Sequence, residues 1–239
     1  MPEYSAACLA QMKIVSTATL TTALFKRGFR NVFMQGVRPL GRYLVNMVGP
    51  AYTLRNIPAR EDLDRVEGFA NPEHPQRKAV EHAPAGRVLV VDCRGDARVA
   101  SGGQILMTRL MVRGAAGMVS DGGVRDAGPI AAMAMPVFCA GPSAPLNLVH
   151  HHAVDIDVPI ACGGVAVYPG DLIVGDGDGV VVVPAHLAEE IASEAAEQER
   201  MESFLLARIA AGAKLPGTYP PNEETKAAYA AWLKSNSKS

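Results

Sequence analysis

Aromatic residues make up only 5% of this 239-residue chain, with a single tryptophan. That scarcity argues against the stacked-ring platforms that hold single-stranded nucleic acid. Charge of neither sign is in excess: 23 Lys and Arg against 24 Asp and Glu leave a formal charge of −1. No basic field is therefore available for a phosphate backbone or an anionic membrane surface. No run approaches the ~20 apolar residues that cross a bilayer, and the longest aliphatic stretches are strand-sized, such as Val180 to Val183. The opening Met-Pro-Glu-Tyr-Ser lacks the basic segment and apolar h-region of a secretory signal, so a cytoplasmic location is expected. Four cysteines, Cys8, Cys93, Cys139 and Cys162, are widely spaced among apolar neighbours and read as buried free thiols rather than a disulfide framework or metal cage.

Several catalytic signatures are also missing. There is no Walker A loop, no His-Glu-x-x-His, no G-x-S-x-G elbow and no Cys-x-x-Cys pair. The turn Asp176-Gly177-Asp178-Gly179 resembles the start of a calcium loop, but Leu187 stands where the bidentate acid is needed, so it reads as a hairpin turn. His150, His151 and His152 are consecutive and cannot all face one ion in a regular strand; an exposed or interface loop is expected there. Lys13, Lys26, Lys78, Lys214, Lys226, Lys234 and Lys238 all lie in polar or helical contexts. A Schiff-base lysine needs an apolar pocket to lower its pKa, so lysine aldolase chemistry is disfavoured.

What is present is a 49% apolar chain, enough for one domain with a sizeable core. The first thirty residues have helical spacing as far as Gly28, and residues 30 to 60 mix short β-like runs with glycine and proline. Residues 58 to 84 are the most polar and least periodic, and read as a long loop or weak helix. Val88 to Val91 reads as a buried strand, Gln104 to Arg113 as a helix closed by Gly114, Met118-Val119 as a strand, about 129 to 134 as a short helix, and Val137 to Cys139 as a strand. That order implies a βαβ unit and a partly parallel sheet. Short strands follow at 153 to 158, 165 to 167, 172 to 174 and 180 to 183, then a helix from about 185 to 211. The extension 213–239 is Pro-rich and then helical around 227 to 233, and is suited to packing on a neighbouring subunit.

The chemistry concentrates in two segments, Gly103-Gln104-Ile105-Leu106 and Asp121-Gly122-Gly123-Val124-Arg125-Asp126. Glycine ahead of a helix exposes unpaired N–H groups which, with the helix dipole, suit an anion. Arg125 and Asp126, adjacent in one loop, can reach a common ligand: the arginine as a carboxylate fork, the aspartate as an oxygen ligand for a hard cation. On spacing alone, a turn with a purely structural Arg–Asp pair is the favoured reading.

These same segments resemble the signature of the RraA-like family, which includes the class II 4-hydroxy-4-methyl-2-oxoglutarate aldolases and the regulator of RNase E activity A. The resemblance extends to Ser16-Thr17-Ala18-Thr19, Pro136-Val137-Phe138, Cys162-Gly163-Gly164-Val165, Pro169-Gly170-Asp171-Leu172-Ile173, and the run from Asp176 to Pro184. It covers a core of about 15–210 within a single domain, 1–239. It implies an α/β fold, a swivelling β/β/α layered domain with a mixed sheet, assembled into ring-shaped homotrimers or hexamers with sites at subunit boundaries.

By the same resemblance, Asp126 holds Mg2+ (or Mn2+), directly or through water. Arg125 binds a keto or carboxylate oxygen, and the backbone of Gly103, Gln104, Ile105 and Leu106 receives the carboxylate of a 2-oxo acid. The implied reaction is retro-aldol cleavage of a 4-hydroxy-2-oxo acid to pyruvate, with oxaloacetate decarboxylation as a side activity. A metal–enolate enzyme for another 2-oxo acid and a non-catalytic protein-binding regulator are the alternatives. Gln104 stands where the aldolases usually carry Asp or Glu, and an amide cannot titrate. Asp92, Asp96, Asp121 and, from a neighbouring subunit, Glu197, Glu199 or Glu202 are candidates for the missing acid.

Overall fold

The computed structural model describes residues 3–236. The chain opens with α1 (Ala6–Met12) and α2 (Thr17–Lys26), two helices rather than one. The break is chemical: Ser5 and Ser16 each accept a backbone N–H at a helix start, from Cys8 and Thr19. Asp176 makes the second start firmer, accepting from both the amide and the hydroxyl of Thr17 at 2.7 and 2.9 Å.

After the two-residue strand β1 (Arg38–Pro39) comes β2 (Met47–Pro58), twelve residues long and the axis of the sheet. Next come α3 (Pro75–His82), β3 (Val88–Asp92), α4 (Gln104–Val112), β4 (Gly117–Ser120), the two-residue β5 (Gly123–Val124), α5 (Ala127–Ala131) and β6 (Val137–Cys139). Strands β2, β3, β4 and β6 pair in parallel, as the βαβ pattern requires. The second half adds β7 (Gly141–Pro142), β8 (His151–Ile156), the hairpin β9 (Ile160–Cys162) and β10 (Val165–Val167), then the hairpin β11 (Leu172–Gly175) and β12 (Val180–Val183). The turn at 176–179 joins β11 to β12, so it is the hairpin turn expected from its sequence.

Strand β2 carries β3 on one edge and two antiparallel partners on the other. β11 pairs with 47–50 and β8 with 54–58, with a register shift between Arg55 and Asn56. Alternation along β3 assigns its two faces: Leu89 and Val91 pack with α3, α4 and α5, while Val88 and Val90 pack with the β9–β10 ribbon. A third core joins α1, α2 and α6 (Ala188–Ala210) to β11 and β12. The result is the mixed, layered α/β architecture expected, with a β ribbon over one face and helices over the other. No single described helix is long and apolar enough to cross a membrane; the α1–α2 pair passes on composition but is bent by 114°.

One local expectation is corrected, and two segments are defined more closely. The histidine run is not an exposed loop: His151 and His152 open β8, His151 is fully buried, and His150 and His152 each hydrogen-bond an aspartate, Asp96 at 2.8 Å and Asp64 at 2.7 Å. Of the two readings of residues 58–84, the helix is the one found: they hold a 3-10 turn at Val66–Ala70 and α3, whose Gln76, Ala79 and Val80 are buried. The C-terminal region folds back on its own chain. After a kinked turn, α7 (Leu215–Thr218), helix α8 (Glu223–Asn236) lays Tyr229 and Trp232 against Phe204 of α6, with ring centroids 5.4 and 5.7 Å away. All four cysteines are free and buried.

Candidate active site

Two segments meet at the C-terminal ends of the parallel strands, where open α/β sheets place ligands. Gly103, with φ −133°, precedes the first turn of α4, and Asp126 precedes α5. Asp126 sits in the left-handed region at φ 60°, ψ 37°. An L-residue adopts that conformation at a cost, and aspartate pays less than most. It turns the carboxylate back towards α4, where Oδ2 accepts the Gln104 N–H at 3.0 Å. The Arg125 amide is anchored on the Gly102 carbonyl at 3.0 Å, and its Nε lies 3.7 Å from Asp126 Oδ2.

Gly103 is required by this closeness. A Cβ there would lie 2.7 Å from Asp126 Oδ2 and 2.8 Å from Arg125 Cγ. The three sequence-predicted elements, Gly103, Arg125 and Asp126, are therefore one contact unit, and both charged side chains remain nearly half exposed, 45% and 41%. Of the anion cradle, the Gln104 amide is taken by Asp126, and the Leu106 amide points to the Gly103 carbonyl at 3.1 Å. Neither bond uses the Ile105 amide. The Gln104 side chain is exposed at the helix start.

The unit lines a cavity of about 150 Å³ whose opposite wall comes from other elements: Phe69, Gln76 and Arg77 from residues 66–82, and Leu146 and Asn147 before β8. No sequence signal had marked this wall; Phe69, Gln76 and Arg77 lie in the least periodic stretch of the chain. Arg77 stacks its guanidinium over the Phe69 ring, 4.3 Å from the centroid, and burial pulls its pKa down from the usual arginine value. Gln76 is 5% exposed and donates to the Ser101 carbonyl at 2.7 Å, steadying the strand of chain that leads to Gly103.

Of the acids proposed as substitutes for the one absent at Gln104, the three aspartates are committed elsewhere in this chain. Asp121 accepts three backbone amides, Cys93, Gly95 and Gly163, at 2.6, 2.8 and 3.2 Å. Asp92 accepts from the amides of Arg94 and Ala161, and burial raises its pKa. Asp96 is held well below the usual carboxylate range, chiefly by hydrogen bonds from Arg98 and also by His150. On α6, Glu197 accepts the Tyr229 hydroxyl, Glu199 the Ser16 amide and Glu202 the Gln198 amide. None of the three aspartates lines the cavity; the carboxylate of this chain that does is Asp126.

Comparison with known proteins gives the family of the fold. The family model RraA-like, described as Aldolase/RraA, matches residues 17–182. A protein of Halalkalibacterium halodurans named "Putative 4-hydroxy-4-methyl-2-oxoglutarate aldolase" is 32% identical over 191 residues, 80% of this chain and 83% of its own. The crystal structure of Streptomyces coelicolor RraAS2, titled an unusual member of the RNase ES inhibitor RraA protein family, aligns with TM-score 0.75 and 32% identity over 85% of this chain and 98% of that one. An uncharacterized protein from Pseudomonas syringae pv. tomato aligns over 92% of this chain and 100% of that one, with TM-score 0.76 and 26% identity. With its fold and most of its length matched in this way, the chain belongs to the RraA-like family.

Proposed function

We propose that this protein is a divalent-metal-dependent lyase that cleaves a 4-hydroxy-2-oxo acid, such as 4-hydroxy-4-methyl-2-oxoglutarate, to pyruvate, with oxaloacetate decarboxylation as a side activity. The observation that carries the reading is the Gly103–Arg125–Asp126 unit: a fixed guanidinium and a half-exposed carboxylate pressed together at a helix start inside a small cavity. No group of three His, Cys, Asp or Glu side chains suited to a metal occurs among the described residues. A single carboxylate at the site suits Mg2+, which keeps several waters and takes one or two carboxylates plus substrate oxygens. Asp126 would hold it, with the Gln104 amide oxygen as a neighbour for bound water. When bound, the cation supplies Lewis-acid polarisation of the 2-oxo acid.

The chain's own groups then divide the work. The Ile105 amide, at the positive end of α4, receives the substrate carboxylate. Arg125 places a permanent cation where enolate charge develops as the C3–C4 bond breaks, a contribution realised in the transition state. Gln104 orients water by hydrogen bonding but takes no proton, so the 4-hydroxyl proton passes to a group other than Gln104. Ile105 lines the cavity yet is 85% exposed, as Leu44 and Phe25 are elsewhere on the surface. These exposed apolar side chains support a homotrimeric ring, or a pair of rings, with the site at a subunit boundary. A second reading, a protein-binding regulator, is favoured by the likeness to RraAS2.

The test is pyruvate release from 4-hydroxy-4-methyl-2-oxoglutarate and from oxaloacetate, with Mg2+ and with chelator, beside Asp126→Ala. The expected result is turnover that chelator abolishes and the variant loses by about 10³-fold, the scale of a lost electrostatic anchor. A folded, Mg2+-supplied protein that turns over neither compound would overturn the lyase reading and leave the regulator.

A further inference from the structure

Between β2 and α3 the chain crosses the surface without sinking into it. None of residues 60–73 is buried, whereas Gln76, Ala79 and Val80 of α3, just after them, are. Under this strap lies space rather than packed side chains: a cavity of about 260 Å³, lined by Leu63, Asp64 and Gly68 of the strap, by His74, and by Leu148 and His152 from the β8 side. Phe69 of the strap lines the catalytic cavity and His74 lines this one, and their rings meet edge to face with centroids 5.3 Å apart. The Nδ1 of His74 is buried there with no hydrogen-bond partner among the described residues. A segment with few buried contacts, over an unfilled void and an unsatisfied polar atom, opens at little cost in free energy.

One side-chain bond ties the strap to the rest of the fold. Asp64 Oδ2 accepts the Arg60 amide at 2.8 Å and the Asp64 amide donates to the Arg60 carbonyl at 2.9 Å, so residues 60–64 form a turn closed on itself. That turn delivers Asp64 Oδ1 to His152, whose Nδ1 donates to it at 2.7 Å, and the aspartate side chain is only 3% exposed. Among the described residues, the other hydrogen bonds and ion pairs of 60–73 stay inside the segment or reach only His74 and Lys78 at the start of α3. His152 is fixed by contrast, since it lies in β8 opposite Ile57 of β2. Phe69 is both a wall of the catalytic cavity and the platform under Arg77. We propose that residues 60–73 are a movable cover of the catalytic cavity, latched by Asp64 on His152, which brings Phe69 and with it Arg77 into place on closing. Release of the latch admits the substrate, and closure keeps bulk water from the cavity. The inference takes the role of the cavity from the lyase reading. Asp64 and His152 are positioning residues; neither touches the reacting atoms.

The experiment is limited proteolysis by trypsin under native conditions, on the wild type, His152→Ala and His152→Asn. Cleavage after Arg65, exposed in the strap, is compared with cleavage after Lys214, exposed between α6 and α7. His152→Ala should be cut after Arg65 about 10-fold faster, with Lys214 unchanged. His152→Asn should recover most of the protection, because its side-chain N–H stands close to the place of the ring Nδ1–H. Mg2+ with pyruvate at about ten times its Kd should slow cleavage of the wild type after Arg65 about 10-fold. The KM for oxaloacetate should rise about 10-fold in His152→Ala while kcat stays within about twofold. Cleavage after Arg65 at the wild-type rate in His152→Ala, or equal acceleration at Arg65 and Lys214, would overturn the latch. Cleavage unchanged by pyruvate that calorimetry shows to be bound would overturn the cover and leave the lyase reading standing. Pyruvate that does not bind in Mg2+ buffer would remove the lyase reading, and the cover with it.

Discussion

Asp121 and Asp126 leave the same loop five residues apart and have opposite environments. Asp121 is 6% exposed and gives both oxygens to backbone amides of two other segments. Asp126 is 41% exposed, gives one oxygen to one amide and leaves the rest of its carboxylate facing a cavity. The backbone differs too, since Asp126 carries the left-handed φ and borders the helix start. A carboxylate whose hydrogen-bonding capacity is used up by the chain is architecture. One that is held in a costly conformation with capacity to spare is available to a ligand. Residue type and spacing do not separate the two; saturation does.

The sharpest way to break the contrast is to neutralise each in turn. Asp126→Ala should cost about 10³ in turnover but only about 1 kcal/mol of stability, the value of one helix-cap bond. Asp121→Asn should do the reverse, lowering unfolding free energy by about 3 kcal/mol because an amide NH2 replaces an acceptor facing N–H donors. Denaturant unfolding beside the pyruvate assay reads both, and a stable Asp121→Asn protein would dissolve the distinction. Gly103→Ala is gentler. The added Cβ pushes Asp126 and Arg125 apart without touching Asp121, so kcat/KM should fall about 10- to 100-fold with stability little changed.

The smallest effect comes from pH. Burial, helped by Arg94, pushes the His151 pKa down to about 4, below the 6.5 of an unfolded histidine. The folded value is the depressed one, so the unfolded chain takes up the proton first as pH falls. Stability is therefore unaffected above about pH 6.5 and declines between there and pH 4. A loss of about 2 kcal/mol at pH 5 is expected, and His151→Gln should flatten the profile.

The parts of the fold that could be read beforehand were those where composition and contact agree. Val88 to Val91 and Val180 to Val183 are runs rich in β-branched residues bounded by turn residues, and each is a buried strand. The longest strand was not legible, because Gly49, Pro50 and Pro58 interrupt it and Arg55 and Asn56 break its alternation. Gly49 is there because a Cβ would lie 2.5 Å from the Gly86 carbonyl, a contact between distant segments that leaves no local trace. The near wall of the cavity was legible from Gly103, Arg125 and Asp126, which meet across a short separation. The far wall was not: Phe69, Arg77 and Asn147 look like ordinary polar-loop residues until tertiary structure brings them together. The histidine run misled for a similar reason, since three polarisable rings in a row suggest exposure until Asp64 and Asp96 are seen to receive two of them.

The seam along β2 has a consequence for the order in which the chain can acquire its structure. One edge of this strand is met by 88–92, which follows within the first half of the chain. The other edge waits for 151–156 and then 172–175, which itself needs 180–183 beside it. During synthesis, most of the protein must leave the ribosome before the strand at residues 47–58 has neighbours on both sides. Until then it is an open template for strand pairing with other chains. Any truncation that stops short of Val183 would leave that template permanently exposed.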